Sequence, residues 1–191
     1  MSFQNLRSFI QDSILAFRAC QTEHSRSQMR WGFEPTPENM RTLDTESTLW
    51  YAKPNKLRVK PLGAGYFSFV VPHPFDVTKV IKIFPKGADG STKYLEKCIE
   101  RNFRCDWMPI VYEMGTCLGI PYAIMERLEK HTLAYSEAEH IKDKLHANFH
   151  TEFGFEANDI HSGNFMLRHR LSADGCPVRE IVLTDPVTYW C

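Results

Sequence analysis

Apolar residues recur at three- and four-residue steps near the start of the chain. Leu6, Phe9, Ile10, Ile14 and Phe17 fall on one side of a helix over residues 2–18. Such a stripe predicts a helix packed on the main core. From Thr22 to Thr48 the pattern turns polar, with Pro35 and Pro37, which predicts an irregular wrap with one short helix near 38–43. Leu49, Trp50 and Tyr51 form a small apolar anchor.

Beyond residue 56 the period shortens to two. Leu57 to Val71 predicts two antiparallel strands around a glycine turn, ended by Pro72 and Pro74. Residues 78–84 predict a third strand. After a loop over 85–90, Ser91 or Thr92 can cap a helix carrying Tyr94, Leu95, Cys98 and Ile99 on one face. Residues 109–115 and 121–126 predict two more strands, and 136–149 a helix with Ala138, Ile141, Leu145 and Phe149 in register. Residues 165–167 and 181–183 predict a hairpin about the turn Ala173-Asp174-Gly175. The fold class is therefore α+β. It comprises a five-stranded antiparallel sheet with one helix (56–126), a short helical second lobe (127–191) and an N-terminal helical extension (1–55).

Composition bounds the partners. The chain has 191 residues, enough for one domain or one plus a short extension, and 43% of them are apolar. Its 23 basic residues balance 23 acidic ones, so a broad attraction to nucleic acid is not indicated. No apolar run approaches a membrane span and no signal peptide is read. The six cysteines form no C-x-x-C pair, which argues for reduced thiols in a cytosol rather than a disulfide framework or a zinc site.

The chemistry concentrates in Asn158-Asp159-Ile160-His161-Ser162-Gly163-Asn164, answered by Thr184-Asp185-Pro186. Asp159 is a candidate base, Asn164 a neutral oxygen ligand, and Asp185 a charged one at a strand end. Oxygen ligands suit Mg²⁺, which binds through one or two carboxylates plus substrate phosphates. One base and two such ligands are the working set of a phosphotransferase of the protein-kinase type. Upstream, Leu62-Gly63-Ala64-Gly65-Tyr66-Phe67-Ser68-Phe69-Val70 places glycines where a backbone can approach phosphate oxygens. Lys82 sits in an apolar strand, on the opposite face from Ile81 and Ile83. Glu96 and Glu100 lie four apart on the following helix. One of them can pair with Lys82, or both can be solvated. Glu126 opens the segment after Met125, where free backbone groups can read an adenine edge. Singly these signals are common; their order along the chain carries the weight.

With those phrases in hand, the sequence resembles the early serine/threonine protein kinase of T-seven-like bacteriophages. The resemblance runs from about Leu57 to Thr188. It rests on Leu62-Gly63-x-Gly65-x-Phe67-Ser68, Val80-Ile81-Lys82, Ile160-His161-Ser162-Gly163-Asn164 and Thr184-Asp185-Pro186-Val187. It implies that Asp159 orients or deprotonates the attacking hydroxyl and that Asn164 and Asp185 bind Mg²⁺. Lys82 would hold ATP phosphates under a cover formed by Gly63, Ala64, Gly65, Tyr66, Phe67 and Ser68. Leu62, Val70, Val80 and Met166 would sandwich the adenine. The implied substrates are host bacterial proteins in the host cell cytoplasm, RNA polymerase or RNA-processing enzymes among them, and the enzyme itself.

Departures from the family pattern are specific. Ala157 and Asn158 stand where protein kinases carry His-Arg, and His161 replaces the usual lysine two after the base. His161 can donate to a phosphoryl oxygen only when suitably protonated. Pro186-Val187 replace Phe-Gly. The chain ends soon after Asp185 with no activation segment, so the first 55 residues are expected to supply apolar cover, packing their amphipathic helix and Trp31, Trp50 and Tyr51 against the lobes. Two rival readings follow: a binding protein on a kinase scaffold that inhibits a host enzyme by contact, and a small-molecule phosphotransferase.

Overall fold

Helix α1 runs from Phe3 to Gln28, well beyond the expected end at Arg18. Its buried positions are Ile10, Ser13, Ile14, Phe17, Cys20, His24 and Ser25, a single stripe at helical spacing. The stripe turns polar in its last third. There His24 is buried between α1 and α3 (Thr45–Tyr51), its Nδ1 3.0 Å from the Thr48 hydroxyl, while Gln28 Nε2 lies 3.3 Å from its other ring nitrogen. Burial holds the His24 pKa below the ordinary histidine value, against the pull of Asp44.

This computed structural model describes residues 3–51, 59–87, 90–102, 106–131, 141–142, 155–158, 161–184 and 187–190. Of the expected helix over 136–149, only 141–142 are described, and they are helical. The chain divides into two compact units, Met1–Ala88 with Glu113–Met125, and Asp89–Tyr112 with Glu126–Cys191. No described helix is long and apolar enough to cross a membrane.

In the first unit, α2 (Pro37–Thr42) starts at a Thr36 cap, whose hydroxyl accepts from the Asn39 amide at 3.1 Å, with Pro37 opening the helix. The expected short helix near 38–43 is this one. Asp44 caps α3, accepting from the amides of Glu46 and Ser47 and from the Ser47 hydroxyl.

The sheet comprises β1 (Gly63–Ala64), β2 (Phe69–Pro72), β3 (Lys79–Ile83), β4 (Val111–Cys117) and β5 (Ile120–Glu126), in spatial order β1-β2-β3-β5-β4. Register sets Phe69 opposite Ile83 and Val71 opposite Ile81. These four side chains share one face, and α1 covers it with Ile10, Ile14 and Phe17. Phe17 stacks on Phe69 with ring centroids 5.1 Å apart. Val70, Lys82, Pro72 and Val80 alternate onto the other face.

β4 and β5 meet at the two-residue turn Leu118-Gly119, where both φ angles are positive, 51° and 77°. A tight hairpin needs that handedness. Glycine adopts it freely, whereas leucine is strained there. Arg18 on α1 ties the turn down, its guanidinium donating to the Leu118 carbonyl at 2.9 Å.

The second unit contains α4 (Gly90–Glu100), β6 (Glu129–Lys130), β7 (Phe155–Asn158), β8 (Phe165–Leu171), β9 (Pro177–Leu183) and β10 (Val187–Trp190). β6, β8 and β9 form one antiparallel sheet; β7 and β10 pair as another, and α4 packs against β10. The described part of this lobe is thus richer in strand than the sequence suggests. Its centre is Arg168, whose side chain is 11% exposed. Nε bonds both carboxylate oxygens of Glu126 at 3.1 and 3.0 Å, and Nη2 reaches the same carboxylate. The fork also donates to Glu180 (3.2 Å) and to the carbonyls of Asp106 (2.9 Å) and Met108 (2.6 Å). Burial works against the guanidinium charge, but Glu126 and Glu180 outweigh it and raise the Arg168 pKa above the ordinary arginine value.

Of the expected apolar cover, the α1 stripe packs on the sheet, whereas Trp31 and Trp50 are 84% and 82% exposed rather than buried.

Two substitutions test this account by urea denaturation. Phe17→Ala removes a fully buried ring from the α1–sheet contact and is expected to cost about 3–5 kcal/mol. Arg168→Met takes the guanidinium from the largely buried Glu126 carboxylate and leaves Glu180 with Arg170 alone, and is expected to cost about 3–5 kcal/mol. An effect under about 1 kcal/mol in either case, the level of an exposed substitution, would contradict the packing described.

Candidate functional site

Within the first unit lie a glycine hairpin and a buried ammonium. β1 and β2 pair Gly63 with Val70 and Ala64 with Phe69. The turn between them is closed by the Gly65 amide donating to the Ser68 carbonyl at 2.9 Å, and the Leu62 amide donates to the Val70 carbonyl at 2.8 Å. Ser68 is buried beneath, while Leu62, Tyr66 and Phe67 are exposed at 49%, 53% and 41%. A Cβ added at Gly63 or Gly65 would meet nothing within 4 Å, and neither glycine has a positive φ. Neither packing nor backbone conformation therefore demands glycine here. What glycine provides is backbone open to an approaching group.

Lys82 is 6% exposed and lies directly opposite Val70, on the sheet face away from α1. Its Nζ is 5.5 Å from the centre of the Phe84 ring. The expected alternation against Ile81 and Ile83 is what β3 shows, and Val80 and Val70 flank Lys82 on the same face.

At its tip the hairpin meets groups that the sequence did not signal. The Thr45 amide donates to the Tyr66 carbonyl at 3.3 Å. Lys86 Nζ stands 3.1 Å from the centre of the Tyr66 ring and 5.4 Å from that of Phe67. Burial opposes ionisation of Asp44, yet the Ser47 hydroxyl, the amides of Ser47 and Glu46 and the charge of Lys86 together hold its carboxyl below the usual range. Lys86 had read as part of an ordinary loop.

Within the second unit, by itself, lie the candidate residues Asn164, Met166, Glu126 and His161. Asn164 is locked to the strand end before Asp185: its carbonyl accepts from both the amide (2.8 Å) and the hydroxyl (2.9 Å) of Thr184. These bonds continue the β8–β9 ladder, in which Phe165 faces Leu183 and Met166 faces Val182. The Leu183 amide donates to the Trp107 carbonyl at 2.9 Å, which fixes the same end from outside.

His161 is exposed and caps the short 3-10 turn Ser162–Asn164, its Nδ1 accepting from the Gly163 amide at 3.1 Å. A ring whose Nδ1 accepts carries its proton on Nε2, so the neutral imidazole presents an N–H donor. A Cβ at Gly163 would come within 2.9 Å of the His161 ring, so the glycine is demanded by this cap.

Glu126 is committed differently from the expected adenine reader. Its amide donates to the Ile110 carbonyl at 3.0 Å, and its carboxylate takes the Ile110 amide and Arg168. Hence neither its N–H nor its side chain is open to a ligand. Glu96 and Glu100 are both exposed on α4, the arrangement of solvated carboxylates, whereas Tyr94, Leu95 and Cys98 face inward. Asp159 and Asp185 lie outside the described residues, as do Ile160 and Pro186. Among the described residues no three His, Cys, Asp or Glu side chains gather as a metal site. Asn164 alone of the expected Mg²⁺ pair is described. An amide oxygen and one carboxylate are chemically suited to that ion and leave most of its coordination to water and phosphate.

Solved structures similar to this chain include two mutant forms of the PknI kinase domain of Mycobacterium tuberculosis. One matches with a TM-score of 0.45 at 18% identity, over 68% of this chain and 59% of that one. The other matches with a TM-score of 0.41 at 18% identity, over 68% and 58%. The chain thus spans less than two thirds of the kinase domains it matches. No protein-family model and no curated protein sequence matches it.

Proposed function

We propose that the chain is an ATP-dependent protein serine/threonine kinase of phage type, acting on host bacterial proteins and on itself in the host cytoplasm. The observation that carries the reading is Lys82. A lysine is rarely buried without a purpose, and this one stands beside an open glycine hairpin on the sheet face that α1 leaves uncovered. In this reading Lys82 neutralises phosphate oxygens, and amides of the turn that the Gly65–Ser68 bond leaves open donate to them. Leu62, Val70, Val80 and Met166 supply apolar contact to the purine.

Asn164 and Asp185 would hold Mg²⁺, which when bound supplies positive charge between the phosphate oxygens. The Thr184–Asn164 bonds support this pairing, because Asp185 is the next residue in sequence after Thr184. Asp159 would accept the proton of the attacking serine or threonine hydroxyl. His161 Nε2–H is a donor suited to the transferred phosphoryl group. Since the transition state is loose, these groups act by placement and charge rather than by covalent chemistry.

The exposed Trp31 and Trp50 favour a second reading, contact inhibition of a host enzyme, since tryptophans often anchor interfaces. Survival of the host effect in an Asp159→Asn variant would select it.

Two measurements test the kinase reading. Labelled phosphate should pass from ATP to serine or threonine in the wild type, and Asp159→Asn should lower that rate by about 10²–10⁴-fold; near-normal transfer by the variant rules out the assigned base. Gly65→Ala should leave thermal stability equal or raised by about 0.4–1 kcal/mol, while ATP affinity falls about tenfold, the equivalent of about 1.4 kcal/mol. Unchanged affinity would show that the open hairpin does not receive phosphate.

A further inference from the structure

The glycine hairpin is a four-residue turn with two exposed aromatic side chains at its tip, closed by one hydrogen bond of its own, from Gly65 to Ser68. Such a turn held by nothing else would open readily. Here it is held from outside. The Thr45 amide, at the start of α3, donates to the Tyr66 carbonyl. Lys86 lies against the Tyr66 face and near the Phe67 ring, and the two rings meet edge to face with centroids 4.8 Å apart. Lys86 also acts on Asp44, the cap of that same helix. The turn is therefore held at its tip by a backbone bond from the N-terminal extension and by an ammonium on its aromatic face.

We propose that Lys86 and the first turn of α3 form a latch that holds the glycine hairpin in one position. This makes Lys86 a positioning residue for the phosphate-binding turn. The consequence for phosphate rests on the nucleotide reading above; the latch itself does not. The N-terminal extension then has a second role besides covering the sheet, because its helix start sets where the turn sits. Lys86 is suited to this by its flexible stem, which lets the charge settle on the Tyr66 ring.

The test is amide hydrogen exchange across residues 63–68 in the ligand-free full chain, followed by ATP titration of the same samples. Lys86→Met keeps the stem and removes the charge; Lys86→Arg restores a cation that stacks on rings. Exchange in the turn should quicken about tenfold in Lys86→Met and return near wild type in Lys86→Arg, as expected from the worth of a cation–ring contact. Amides of Ile81 and Ile83 should stay protected in all three proteins, showing an intact sheet. The ATP dissociation constant should rise several-fold in Lys86→Met. Equal turn exchange in Lys86→Met and wild type overturns the latch. Faster exchange with unchanged ATP affinity overturns the positioning role. If wild type binds no ATP while Lys86→Met still quickens exchange, the latch stands and the nucleotide reading falls.

Discussion

Side chains along a β-strand alternate between two faces, and in β2 and β3 that alternation decides everything else in the first unit. Phe69, Val71, Ile81 and Ile83 all point one way, so that face must be covered, and the α1 stripe covers it. Burying a large apolar side chain is worth about 1.5–3 kcal/mol, so Ile10, Ile14 and Phe17 together outweigh any local preference of the helix. Only because that face is closed can the other be spared for polar chemistry. Lys82 stands there between Ile81 and Ile83 in sequence and opposite them in space. The stack of Phe17 on Phe69 and the placement of a charged group beside a glycine hairpin are two results of one constraint.

The second unit solves a different problem. Burying ions is costly unless charges and hydrogen bonds compensate. Arg168 meets that requirement with two carboxylates and two backbone carbonyls, using the planar fork that lysine lacks. The result ties the end of β5 to the middle of the β8–β9 hairpin. The same hairpin carries Asn164 at one end, so a structural ion cluster and a candidate ligand share one rigid ribbon. His169 Nε2 also meets a carboxylate oxygen of Glu129, and Arg170 pairs with Glu180.

Where apolar residues set the period, the sequence was readable. The α1 stripe, the sheet strands, the glycine turn and the outward aim of Lys82 all follow from it. Where buried positions are polar, it was not. The last third of α1 buries Cys20, His24 and Ser25, which leave no apolar rhythm, and its helix passed for a linker. β8 and β9 run past their apolar cores because Arg168 faces Glu180 across the ladder, and a strand stabilised by ion pairs resembles a loop in one dimension. Trp31 and Trp50 misled in the opposite sense, since large apolar residues need not be covered. The roles of Thr45 and Lys86 depend on a backbone carbonyl and a ring face, which no spacing rule encodes.

Register in β3 also has a genetic side. Substitutions at Ile81 or Ile83 alter volume and leave the two faces distinct. A deletion or duplication of one codon upstream within the strand would instead exchange them, turning the ammonium of Lys82 toward Phe17 and an isoleucine toward the hairpin. Drift in length is therefore forbidden in a segment where drift in residue identity is tolerated, and descendants of this chain should differ in length at the tips of their turns rather than along this strand.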